Sequence, residues 1–347
     1  MGYGSYKASD WAKLKDSRGI SASSGVEQIF RGNQLQDKYN PRFIDMRESC
    51  DSEDSPLSTP IILAFDVTGS MGYLAAEIAK NSLNKTILQI YDKQPVTNPH
   101  VMCAAITQPI PEGGIQVTQF EADIRVVEQL LELKVGFGGN RYSYDSLVWY
   151  FAAKHTKIDC FEKRGKKGFL FVIGDEVCGA AEGDSLLASS IRSVFGDETH
   201  ENLSAYELAV MASEKYEIFH IVTGNRSNLD HSVETWERFL PGRVACIPGS
   251  KIEYLSEVIL SLLQLSVGME KESVIRQWDG EAQEVVLNAV SPVLVEPENA
   301  VPQDLRAKPK PAAQSVPVQK PKAPVQKPKA PADQKAPADQ KGPAQTP

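Results

Sequence analysis

The chain has 347 residues, 41% of them hydrophobic and 24% charged, with a formal net charge of −8. This is the profile of a soluble globular protein and excludes fibrous or disulfide-dense classes. From Arg306 onward nine Lys or Arg face only two Asp, which leaves −15 on the remainder; so acidic a body argues against nucleic-acid binding by the folded part. No apolar run approaches the roughly 18 residues that span a bilayer. The N-terminus lacks a signal-peptide core, and Tyr6 stands where a myristoylation signal takes Ser or Thr. A cytoplasmic location without membrane attachment is therefore expected. The five cysteines (Cys50, Cys103, Cys160, Cys178 and Cys246) are widely spaced, and no CxxC occurs, which fits free thiols better than disulfides or a zinc site.

In chain order, residues 1–58 read as a polar, irregular arm anchored by Trp11, Ile29, Phe30 and Phe43. An alternating region follows, with a domain expected over 59–268. "IILAF" (61–65) is a strand-like run. "YLAAEIAKNSLNKTILQIYDK" places Ala75, Ala79, Leu83, Ile87 and Ile90 at the spacing of one helix face. "VMCAAIT" (101–107) reads as a strand, "IQVTQF" (115–120) as an edge strand, and "ADIRVVEQLLELK" as a helix. "GFGGN" (136–140) is a loop before the helix "SYDSLVWYFAAKH". "GFLFVIG" (168–174), "EIFHIVT" (217–223) and "VACIP" (244–248) are strands, interleaved with the helices "SLLASSIRSVF" and "SAYELAVMASEKY". "IEYLSEVILSLLQL" closes the domain as a helix. "ESVIRQWDGEAQEVVLNAV" reads as one more helix, within a segment of 269–305. Strands alternating with helices predict an α/β fold, a doubly wound and mostly parallel sheet covered on both faces.

The segment 306–347 holds ten of the 22 prolines and repeats "PVQKPKA" in tandem. It cannot bury enough apolar area to offset chain entropy, so a disordered tail rich in Pro, Ala, Lys and Gln is expected.

Sites in such a fold form beyond the carboxyl ends of the strands. Asp66 ends the first candidate strand and Asp175 follows "FLFVIG". Two carboxylates brought into one crevice call for a cation. Together with the hydroxyls of Thr68 and Ser70 they make an all-oxygen set, which suits Mg²⁺, with Mn²⁺ as the alternative. Against this stands a plainer role, because strand-end Asp, Thr and Ser are also preferred helix caps. One cap needs only one of them.

"DVTGSM" (66–71) resembles the D-x-[ST]-x-S signature of von Willebrand factor A domains, the metal-ion-dependent adhesion site. The resemblance covers about residues 58–265. "FVIGDE" matches the family's third element at Asp175. The second element is altered: where a threonine usually follows Gly-Gly, Asn140 follows Gly138 and Gly139. The resemblance implies a doubly wound sheet with one antiparallel edge strand, and a metal held by Asp66, Thr68, Ser70, Asn140 and Asp175, with Ser143 as fallback for Asn140. It implies a non-enzymatic binding module that engages a partner's carboxylate through Mg²⁺, as a component or adaptor of a larger assembly. It also points to an AAA+ ATPase as partner. The layout is similar to uncharacterised bacterial and phage members of the family.

The competing reading is an Mg²⁺-dependent phosphohydrolase of haloacid-dehalogenase type. That chemistry needs a second aspartate two residues after the first as general acid, and Thr68 stands there. It also needs a later acid in a GDxxxD pattern, where Gly179 stands. Nucleotide-binding loops are excluded by spacing, since "GYGSY" and "GFGGN" fail GxGxxG. His100, His155, His200, His220 and His231 form no zinc pair and read mostly as surface or satisfied structural histidines. Cys178 reads as a loop thiol, and Glu176 and Asp184 as solvated loop acids near the crevice. The acidic "RESCDSEDSP" precedes the first strand and so falls at the far end of the sheet.

Overall fold

In the computed structural model, residues 6–21, 23–32, 34–68, 71–107, 114–135, 144–179, 185–224 and 229–295 are described. Ser70, Asn140, Ser143, Asp184 and the predicted tail lie outside them. Six strands form the central sheet: β1 (Thr59–Asp66), β2 (Pro99–Ile106), β3 (Ile115–Val117), β4 (Gly168–Gly174), β5 (Tyr216–Gly224) and β6 (Val244–Pro248). Their spatial order is β6-β5-β4-β1-β2-β3. All neighbours are parallel except β2 and β3, which pair antiparallel at the edge with Ala105 opposite Gln116. The doubly wound sheet with one antiparallel edge strand is therefore the observed architecture. Its order reverses at β1, which lies between β2 and β4, with Phe65 in register with Ala105 on one side and Ile173 on the other.

The strands are apolar on both faces because helices cover both. Ile61, Leu63 and Phe65 of β1 join one core with Phe171 and Phe219, while Ile62 and Ala64 join the other with Leu170 and Val172. The principal helices are α1 (Ala8–Arg18), α2 (Leu83–Lys93), α3 (Asp145–Lys154), α4 (Ala188–Phe195), α5 (Ala205–Lys215), α6 (Leu229–Phe239), α7 (Leu255–Ser266) and α8 (Gly280–Val290). α2, α7 and α8 supply the first core through residues such as Ile87, Val258 and Val286. α3, α5 and α6 supply the second through Leu147, Leu208 and Trp236.

Several sequence expectations need correction. The predicted single helix over "ESVIRQWDGEAQEVVLNAV" is two, Lys271–Arg276 and α8, separated at Gly280, whose φ of 56° is left-handed. "ADIRVVEQLLELK" is helical only over Arg125–Leu130. Beyond it the arm takes the carbonyls: Arg31 N donates to Leu131 O at 2.9 Å and Gln36 Nε2 to Glu132 O at 3.1 Å. The long helix after β1 contains a π-helical turn, Ile78–Ser82, a feature frequent near functional sites. The arm is less irregular than expected. α1 ends on Gly19 in the left-handed region and buries Trp11 and Leu14 in the first core. Ile29 and Phe30 are buried too, but Phe43 is 61% exposed and anchors nothing. Arg47–Ser49 of the arm pairs in parallel with Thr156–Ile158, outside the main sheet.

Candidate functional site

The parallel strands deliver their carboxyl ends to one pole of the sheet, and β1 and β4 are adjacent there at the reversal of strand order. Asp66 is the last residue of β1, and Asp175 directly follows β4. Both are 2% exposed. Asp66 continues the alternate set of Ile62 and Ala64, which faces the α3, α5 and α6 side. Two glycines make room. A Cβ on Gly224, at the end of β5, would lie 2.9 Å from Asp175 Cβ, and one on Gly174 would lie 3.7 Å from Asp66 Cβ.

The turn after β1 folds around the Asp66 carboxylate. Thr68 N donates to Asp66 Oδ1 at 2.7 Å, and Met71 N donates to Thr68 O at 2.9 Å. Thr68 is 1% exposed. Its Oγ1 lies close enough to favour the charged form of Asp66, yet among the described residues no group completes a hydrogen bond with it. The Asp175 turn is fixed by α6: Ser232 Oγ donates to Asp175 O, Trp236 Nε1 to Glu176 O, and Cys178 N to Thr235 Oγ1, each at 3.1 Å.

Burial pushes the Asp66 carboxyl up to about 6. The Thr68 N–H bond and the nearby Thr68 hydroxyl oppose this, and the Asp175 and Asp145 carboxylates add to it. The pole therefore holds converging negative charge in a desolvated setting.

Of the predicted ligands, Asp66, Thr68 and Asp175 are thus placed at the end of two adjacent strands, while Ser70 and Asn140 fall outside the described residues. Among the described residues no group of three or more His, Cys, Asp and Glu side chains is arranged to hold a metal. The predicted set has only two such side chains and draws its other donors from hydroxyl and amide oxygens. The residues that are described fit a hard cation. They offer carboxylate oxygens, an orphaned buried hydroxyl and a charge deficit that a divalent ion would offset.

Two sequence expectations around the site differ in detail. Glu176 is 5% exposed and so is not a solvated acid, while Cys178 lies in the loop after β4, as expected, and is fully buried there. His220, on β5, is 1% exposed, and its Nδ1 lies 3.1 Å from Asp145 Oδ2 at the start of α3. Among the described residues neither His220 ring nitrogen completes a hydrogen bond, although Nδ1 faces the Asp145 carboxylate. Sequence reasoning missed this pair. Its one signal was an ionisable residue inside the apolar run "IFHIV". Asp145 reads as an ordinary first-turn helix acid.

No protein-family model matches the chain, and no curated protein matches it. Among solved structures, the chain is similar to a von Willebrand factor type A protein from Catenulispora acidiphila, at 13% identity and TM-score 0.34, over 61% of this chain and 43% of that one. It is similar to the pilus adhesin SpaC from Lactobacillus rhamnosus GG in its open conformation, at 11% identity and TM-score 0.32, over 71% of this chain and 31% of that one. It is also similar to the conserved hypothetical protein BatB from Bacteroides thetaiotaomicron, at 14% identity and TM-score 0.25, over 48% of this chain and 67% of that one. The chain thus spans less than half the length of the first two. A von Willebrand factor A protein is therefore among its structural neighbours, while the fold class itself rests on the strand order and pairing.

Proposed function

We propose that the chain is a cation-dependent protein-binding module of von Willebrand factor A type, acting as a component or adaptor of a larger assembly and not as an enzyme. The observation that carries this reading is the placing of Asp66 and Asp175 at the ends of adjacent strands where the strand order reverses, beside the buried Thr68 Oγ1, which has no hydrogen-bond partner among the described residues. Asp66, Thr68 and Asp175 would hold the ion, with Ser70 and Asn140 as the further donors read from the sequence. Bound Mg²⁺, or Mn²⁺ in its place, would supply Lewis-acid binding for a partner's acidic side chain. The backbone N–H of Thr68 orients the Asp66 carboxylate, and α6 holds the Asp175 turn against the sheet.

The phosphohydrolase alternative lacks its general acid. Thr68 occupies that place and is a buried hydroxyl. The partner read from the resemblance, an AAA+ ATPase, is tested by capture on wild type against Asp66→Ala in the presence of Mg²⁺.

The decisive measurement is thermal unfolding with and without millimolar Mg²⁺ or Mn²⁺. A ligand that binds only the native state raises the midpoint by mass action. Wild type should shift and Asp66→Ala should not; an unchanged wild-type midpoint sinks the metal-site reading.

A further inference from the structure

The turn "KRGKKG" (163–168) is basic in an otherwise acidic body, and the cation site makes no use of it. It links the short helix Asp159–Arg164 to β4, at the pole where the parallel strands begin. Gly165 takes a φ of 63°, and Gly165 N and Lys166 N donate to Phe161 O and Cys160 O, each at 2.9 Å. This helix closure fixes the backbone from which Lys166 and Lys167 project.

The turn borders a cavity of about 490 Å³, a size typical of small-molecule sites. One side is apolar. Phe169 is buried there, whereas Leu57 and Val267, the residue after α7, are 47% and 48% exposed. Apolar side chains left open to solvent in one concavity mark a binding surface, as scattered ones do not. The other side is basic, with Arg164, Lys166 and Lys167 against a single acid, Glu217. Arg164 is committed to Asp51 and to Ser58 O. Glu217 is held by Arg243 at 2.8 Å, and Lys167 reaches it only at 3.6 Å. The hydroxyls of Ser58, Thr97 and Ser266 donate to Asp51, Leu57 O and Leu262 O. Lys166 and Lys167 are therefore the charged donors left to a guest. A purely apolar guest would leave both ammonium groups unmatched, and a purely polar one would leave the apolar side uncovered.

We propose that this cavity binds a small amphiphilic carboxylate, with its head group at Lys166 and Lys167 and its chain against Leu57, Phe169 and Val267. The site lies at the opposite pole from Asp66 and Asp175 and does not depend on the cation reading.

The test is isothermal titration calorimetry of the full chain with octanoate, and with octanol and acetate as its two halves. Octanoate should bind saturably at about 1 mM or tighter, and octanol and acetate each about tenfold more weakly or worse. A hydrogen bond to a charged group is worth roughly a factor of ten or more. Replacing both lysines, Lys166→Gln with Lys167→Gln, should therefore weaken octanoate by about that factor and leave octanol unchanged. Val267→Asp sets a carboxylate in the apolar side at an exposed position, so the fold is retained, and it should abolish octanoate binding. No saturable octanoate binding by wild type overturns the site. Unchanged octanoate affinity in Val267→Asp or in the double lysine variant overturns the placing of the ligand. Octanol or acetate binding as tightly as octanoate overturns the amphiphilic assignment.

Discussion

Where the parallel strands begin, Asp51 accepts hydrogen bonds from Ser58 N at 3.0 Å and Ser58 Oγ at 2.7 Å and pairs with Arg164. Arg164 also donates to Ser58 O at 3.0 Å. Arg243 pairs with Glu217 at 2.8 Å, and Lys167 approaches the same carboxylate at 3.6 Å. Where those strands finish, Asp66 has a backbone amide and two neighbouring carboxylates instead. Burial alone would raise the Asp51 carboxyl, but Arg164 and Ser58 hold it at about 2, whereas burial and like charge leave Asp66 at about 6. One pole closes its acidic charges internally and serves stability. The other gathers several carboxylates in a buried setting that holds Asp66 well above the usual carboxylate range, and such departures mark functional sites.

The largest expected effect comes from removing the buried Asp66 charge. The folded Asp66 carboxyl keeps its proton up to about pH 6, whereas in the unfolded chain it ionises near 4. Between those values the native state binds more protons, so metal-free stability falls as pH rises from about 4 to about 6. A tenfold change in proton affinity is worth about 1.4 kcal/mol, so the full loss at neutral pH is on the order of 3 kcal/mol. Asp66→Asn should recover up to that amount in urea unfolding with EDTA at pH 7.5 and flatten the pH 4–6 limb, while abolishing any Mg²⁺-induced gain. A destabilised Asp66→Asn would mean that the carboxylate is structurally satisfied and that the two poles do not differ.

The opposite pole should respond with the opposite sign. Asp51 is ionised in the native state down to about pH 2, so its contribution is present above the unfolded value near 4 and is lost as pH falls through 2. Arg164→Ala should cost about 1.5 kcal/mol at neutral pH, between the values for surface and buried pairs. It should also steepen acid unfolding and leave Mg²⁺ stabilisation unchanged. A change in that stabilisation would break the separation of the poles.

The same contrast explains what was legible in the sequence. The strands announced themselves because both faces are covered, which makes runs such as "IILAF" and "FLFVIG" wholly apolar, and strand-end acids then stand out. Asp66 and Asp175 could be read for that reason. Asp145 and His220 could not, because their meeting depends on how α3 packs on β5, and neither belongs to a local pattern. The break before α8 escaped because "WDGEAQ" keeps helix-forming residues around a single glycine, and the early end of Arg125–Leu130 because its competitor for hydrogen bonds comes from about a hundred residues away.

The smallest effect is the most discriminating, because its sign separates two roles for one side chain. Thr68→Val keeps the β-branched shape and the backbone N–H that donates to Asp66 Oδ1. It removes only Oγ1, which is buried and unpartnered among the described residues. If Thr68 capped the following helix through that oxygen, valine would cost about 1 kcal/mol. The bond actually made to Met71 N comes from Thr68 O, which valine retains. Replacing an unsatisfied hydroxyl by an apolar group of the same shape is neutral or stabilising by about 1 kcal/mol. Metal-free Thr68→Val should therefore unfold at equal or higher urea than wild type, and the midpoint rise on adding Mg²⁺ should shrink. Lower metal-free stability together with an intact Mg²⁺ response would return Thr68 to the role of a cap, leaving the ion to the carboxylates.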